Sequence, residues 1–111
     1  MDRTVQLLDT AIGIIKTARD DLRHDTDMLP SDLSAVVGTL RELAWSLDSF
    51  ISTLNDAYAL QHDLGHDNGC DPAEAVARIC DHLGHVRQQF ATVDSILGHT
   101  HNITSKLFRN D

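Results

Sequence analysis

Apolar residues recur at three- and four-residue intervals along most of the chain, in three stretches divided by polar, helix-breaking segments. The first stretch predicts a helix from Asp2 or Thr4 to Arg23. Val5, Leu8, Ile12, Ile15 and Leu22 form its stripe, and Leu7, Ala11, Ile14 and Ala18 widen that stripe to nearly half the cylinder. A helix so apolar needs neighbours on two sides. Lys16, Arg19 and Arg23 lie towards its C-terminal part, where cations suit the helix dipole. The segment HDTDMLPS at 24–31 reads as a loop. Pro30 ends any helical continuation, because the residue before a proline avoids the α region, and Ser31 or Asp32 can cap the next helix.

The second stretch, SDLSAVVGTLRELAWSLDSFISTLNDAYALQHDL, predicts a helix over 31–64. Its stripe is Leu33, Val36, Leu40, Leu43, Leu47, Phe50, Leu54 and Ala57, with Val37, Ala44, Ile51 and Tyr58 beside it. The alternation of three and four resembles a coiled-coil seam, and some 30 residues make a rod of about 45 Å. The third helix begins at Asp71-Pro72-Ala73-Glu74. Asp71 is the expected N-cap, Pro72 fits the first helical position, and Glu74 can bond back to the cap. Val76, Ile79, Cys80, Leu83, Val86, Phe90, Val93 and Leu97 form the stripe. His101, Thr104 and Phe108 extend it if the helix passes Gly98; otherwise Gly98 ends it and a short helix follows at 99–108.

Long helices joined by short loops pack antiparallel. The expectation is an all-α, up-down-up three-helix bundle in one domain over 1–111, with a short fourth helix if Gly98 breaks the third. No strand alternation, repeat or low-complexity segment appears.

Composition narrows the function classes. The chain has 111 residues, 41% hydrophobic and 23% charged, which is ordinary for a globular protein. Seventeen acids against nine bases give −8. That balance argues against direct nucleic-acid binding, which needs a basic patch, and favours a basic protein partner. No apolar run approaches the roughly 20 residues of a membrane span. Asp2 and Asp9 stand where a classical signal peptide carries basic residues, so a cytoplasmic protein is expected. Fifteen of the acids are Asp and seven of the bases are Arg, a bias that points to GC-rich, bacterial codon usage or, second, to a halophile. Cys70 and Cys80 are too few for a disulfide framework and are expected as free thiols.

The stretch QHDLGHDNGCDPAE at 61–74 concentrates metal-ligand residue types. His66, Cys70, Cys80 and His82 could be a zinc set, but Cys80 lies about 13–15 Å along the third helix from Cys70, and Cys80 and His82 diverge by about 200°. His62, His66 and Cys70 remain as an incomplete set that needs another ligand. Di-iron bundles use Glu-x-x-His, and neither Glu42 nor Glu74 is followed by such a His. The spacing Arg19-x4-His24 resembles the RNase motif of HEPN domains, and Arg78 with His85 a longer variant, but both lack the flanking residues usual there. Size and class resemble the helical-hairpin proteins of type VII secretion. Their Trp-x-Gly turn is absent, since Trp45 begins Trp-Ser-Leu in mid-helix.

Trp45 falls about 160° from the core stripe of the second helix. Gly38, Ser49 and Ser52 surround it with small residues, and Arg41 and Asp48 flank it. A large aromatic among small residues can receive another helix, and Trp is enriched at binding hot spots. Arg41 can also stack on it from one turn away. The reading is a non-enzymatic protein-interaction module without cofactor, homodimeric, or an acidic regulator, immunity or antitoxin-type binder of a basic protein. The alternative is a histidine-based metal protein or bundle enzyme.

Overall fold

A computed structural model describes residues 2–60 and 71–107. Those residues form three helices and no strand: α1 (Asp2–His24), α2 (Pro30–Ala59) and α3 (Pro72–Thr104).

The helix starts follow local chemistry, with two departures from expectation. Pro30 opens α2 instead of preceding it. Leu29 is the cap residue, in the extended conformation (φ −83°, ψ 155°) that a following proline favours. Asp32 assists from the third helical position, its carboxylate accepting the Leu29 N–H at 3.1 Å. At α3, Asp71 is the N-cap as expected and accepts the Ala73 N–H at 3.0 Å. Glu74, however, does not turn back to the cap. It pairs with Arg78 one turn on, at 3.2 Å.

α2 is described to Ala59, with the Leu60 N–H reaching the Asp56 carbonyl; 61–64 of the expected 31–64 lie outside the described residues. α3 runs straight through Gly98 to Thr104, so the short fourth helix does not form over the described part of 99–108. Glycine weakens a helix but does not end one without a left-handed turn. Here Gly98 is needed for a close approach described below.

α2 and α3 pair antiparallel. Gly38 opposes His101, Arg41 opposes Asp94, Asp48 opposes Arg87, and Asn55 opposes Cys80, so α3 numbers fall as α2 numbers rise. Ala44, 7% exposed, sits midway along the pairing and is the buried core residue among those described. Its small side chain lets the two rods come close.

α1 departs most from expectation. It packs on neither α2 nor α3, and every described residue in it is exposed. The expected three-helix bundle within one chain is thus met by two helices. The Cα radius of gyration is 19.1 Å, against about 13 Å for a compact domain of this length. The surface is 8825 Å², against about 6,100 Å² for a compact monomer of this mass. Ile12 is 50% exposed and Ile15 48%, so the widest apolar stripe of the sequence is left uncovered.

Candidate protein-interaction surface

The α2–α3 hairpin has two faces of opposite chemistry, and helical spacing explains why. On α2, Arg41 and Asp48 lie about 40–60° to one side of Ala44, whereas Leu40 and Leu47 lie about 40–60° to the other. On α3, Asp94 and Arg87 lie about 40–60° to one side of Phe90, whereas Val86 and Val93 lie about 40–60° to the other. The charged sets meet across the helices, so the apolar sets must share the opposite face.

The charged side is a satisfied seam. Arg41 Nε donates to Asp94 Oδ1 at 2.6 Å. Arg87 donates to both oxygens of Asp48, at 3.0 and 3.4 Å. The Arg41 hydrogen bond lowers the Asp94 pKa; partial burial opposes it, while the Trp45 indole N–H and the Arg41 charge add to it. Asp94 in turn raises Arg41, and the Asp48 hydrogen bond raises Arg87.

Two glycines make this seam. A Cβ on Gly98 would lie 3.1 Å from the Arg41 guanidinium carbon, and one on Gly38 would lie 3.2 Å from His101 Nε2. Both glycines let a long side chain from the opposite helix lie flat. This accounts for Gly98 inside a continuous helix. The paired roles of Gly98, Asp94 and His101 escape sequence reasoning, because nothing in the pattern of α3 gives its register against α2.

The candidate residues fall on this charged side. Trp45 is 51% exposed, and the Arg41 guanidinium carbon stands 5.1 Å from its ring centre. Gly38, Arg41, Glu42, Trp45 and His101 line one shallow depression. Arg41 also lines a second, with Asp94, Gly98, His99 and Asn102. Ser49 is exposed and Ser52 half-buried. Gly38 and Arg41 are therefore already engaged with α3, while Trp45 presents an open edge.

The apolar side is uncovered. Leu33, Leu40, Leu47 and Phe50 of α2 are 42, 45, 40 and 37% exposed, and Val86 and Val93 of α3 are 39 and 41%.

The remaining sequence candidates are spread out. His62, His66 and Cys70 lie outside the described residues. His82, His85 and His99 are exposed, and His101 is half-buried against Gly38. Among the described residues, no three His, Cys, Asp or Glu side chains stand where they could share an ion. Arg19 pairs with its neighbour Asp20 at 3.3 Å, and His24 Nδ1 lies 2.7 Å from the Asp20 carbonyl oxygen. The Cys80 thiol faces the Asn55 carbonyl at 3.9 Å, and the buried Asn55 amide oxygen has no partner among the described residues. No described helix is long and apolar enough to cross a membrane. No family model matches the chain, and no curated protein or solved structure matches it either.

Proposed function

We propose that the chain is a non-enzymatic interaction module that works as a homodimer, with α1 completing a helical bundle on assembly. One observation carries the reading: the apolar stripe of α1 and the apolar face of the hairpin are exposed together in one molecule. A surface about 2,700 Å² above that of a compact monomer supports it. Within that surface the exposed Val5, Leu8, Ile12 and Ile15 of α1 and Leu33, Leu40 and Leu47 of α2 are the contiguous apolar rows that mark interaction surfaces. Sedimentation equilibrium at micromolar concentration tests the homodimer. The expected mass is twice 12.3 kDa, and a mass of one chain at all concentrations refutes it.

The charged side supports a second contact, with a basic protein in the cytoplasm, as in an immunity protein, antitoxin or regulator. The chain's charge of −8 favours such a partner. Trp45 is the anchor offered to it, with Ser49 and Ser52 beside it and Arg41 and Gly38 holding its floor. The readout is the emission of Trp45, the one tryptophan of the chain. Docking on this face shifts that emission to the blue, and a complex that leaves it unchanged places the contact elsewhere.

A further inference from the structure

We infer that the two copies exchange helices: α1 of one copy lies in the apolar groove between α2 and α3 of the other, and reciprocally. The inference rests on the homodimer reading and names its geometry.

Length fits first. The stripe on α1 from Val5 to Leu22 spans about 26 Å of helix, and the groove from Leu33 to Leu54 spans about 32 Å. Surface fits next. Obligate dimers bury roughly 2,000–5,000 Å² in total, a range that two chains each carrying about 2,700 Å² of excess surface can fill. Charge fits as well. α1 holds four of the nine basic residues and an equal number of acids, so it is neutral, and the whole −8 resides on the rest of the chain. α1 is therefore the segment that the acidic hairpin of another copy repels least.

The connection favours exchange over folding back. Asp25 accepts the Asp27 N–H at 3.0 Å, Asp32 holds the Leu29 N–H, and Pro30 keeps Leu29 extended. These local bonds support an exit that holds α1 clear of its own hairpin. Short, stiff hinges of this kind direct an element to a neighbouring copy.

The test uses full-length variants and complementation. Ile12→Asp spoils the arm and Leu47→Asp spoils the groove. Exchange predicts that the wild type sediments at twice 12.3 kDa and each variant alone at the mass of one chain. An equimolar mixture of the two variants regains the doubled mass, because it retains one intact arm in one intact groove. Circular dichroism checks that each variant keeps its helices. Where one does not, Ile12→Ala and Leu47→Ala replace them, each raising the dissociation constant by at least about tenfold. A dimeric wild type with dimeric Leu47→Asp overturns the exchange while leaving the homodimer standing. So do monomeric variants whose mixture stays monomeric, as folding back within each chain would give. A monomeric wild type refutes the homodimer itself, and the exchange with it.

Discussion

Two glycines of α3 make a matched pair that isolates the charged seam. A Cβ at Gly84 meets nothing within 4 Å, whereas one at Gly98 lands 3.1 Å from the Arg41 guanidinium carbon and 3.2 Å from its Nη2. Both positions are helical, so alanine gains the same backbone entropy and propensity at each, about 0.5–1 kcal/mol. Gly84→Ala should deliver that gain in full, raising the thermal midpoint of a domain this size by about 2–6 °C. Gly98→Ala must push the guanidinium aside and disturb the 2.6 Å bond to Asp94. The gain is then offset, and the midpoint should stay level or fall. Far-ultraviolet circular dichroism during heating, with both variants in one buffer and at one protein concentration, reads the difference. Asp94→Asn in the Gly98→Ala background closes the cycle: with the carboxylate already gone, the alanine should recover most of what Gly84→Ala gains. If Gly98→Ala stabilises as much as Gly84→Ala in the wild-type background, the close approach of Arg41 contributes nothing, and the account of Gly98 fails.

Acid should loosen the hairpin. The folded Asp94 pKa is lowered from its ordinary value of 3.8, chiefly by the Arg41 hydrogen bond. Its contribution is complete above the ordinary carboxylate range and disappears as pH falls through the lower folded value. Denaturation midpoints should therefore drop below about pH 4, and by less in Asp94→Asn; equal slopes in the two proteins would refute this. Asp71→Ala removes the acceptor of the Ala73 N–H and should cost about 1 kcal/mol, with faster amide exchange in the first turn of α3, while Asp71→Ser should keep most of the stability. Dilution of the proposed dimer through its dissociation range should leave the Trp45 emission maximum in place, since the apolar side of the hairpin lies opposite Trp45. A red shift on dilution would put Trp45 in the self-contact.

The helices themselves were legible because each is written in local terms. Asp71-Pro72 states the start of α3 in two residues, and the spacing of Val5, Leu8, Ile12 and Ile15 requires a helix whatever it packs against. What the local pattern leaves open at Gly98 is decided by a partner elsewhere in the chain. Gly98 carries an ordinary stop signal, yet the helix continues through it beneath Arg41, a residue 57 positions earlier. Trp45 was legible as an outer residue because angle alone puts it there. The Asp94 and His101 parts of its surroundings were not, since only the antiparallel register of α2 on α3 brings them near. The wide stripe of α1 stated that neighbours are needed without saying whose.

The two faces of the hairpin make different demands, and this orders the contacts the protein can form. On the charged side Arg41, Asp94, Arg87 and Asp48 already satisfy one another. A partner there must compete with formed ion pairs and can gain mainly from the open edge of Trp45. On the other side Leu40, Leu47, Val86 and Val93 have no such claim on one another, and covering them is favourable at roughly 25 cal/mol per Å². The apolar side should therefore close first and most tightly, and the charged side should bind later, reversibly and with salt dependence. The proposed self-assembly through the apolar side would also double the net acidic charge and present two Trp45 faces on one particle. A basic partner with two sites would then bind with an effective concentration that a single chain cannot provide. In the proposed function, homodimer and acidic binder would be successive uses of one hairpin, and loss of the first contact would weaken the second.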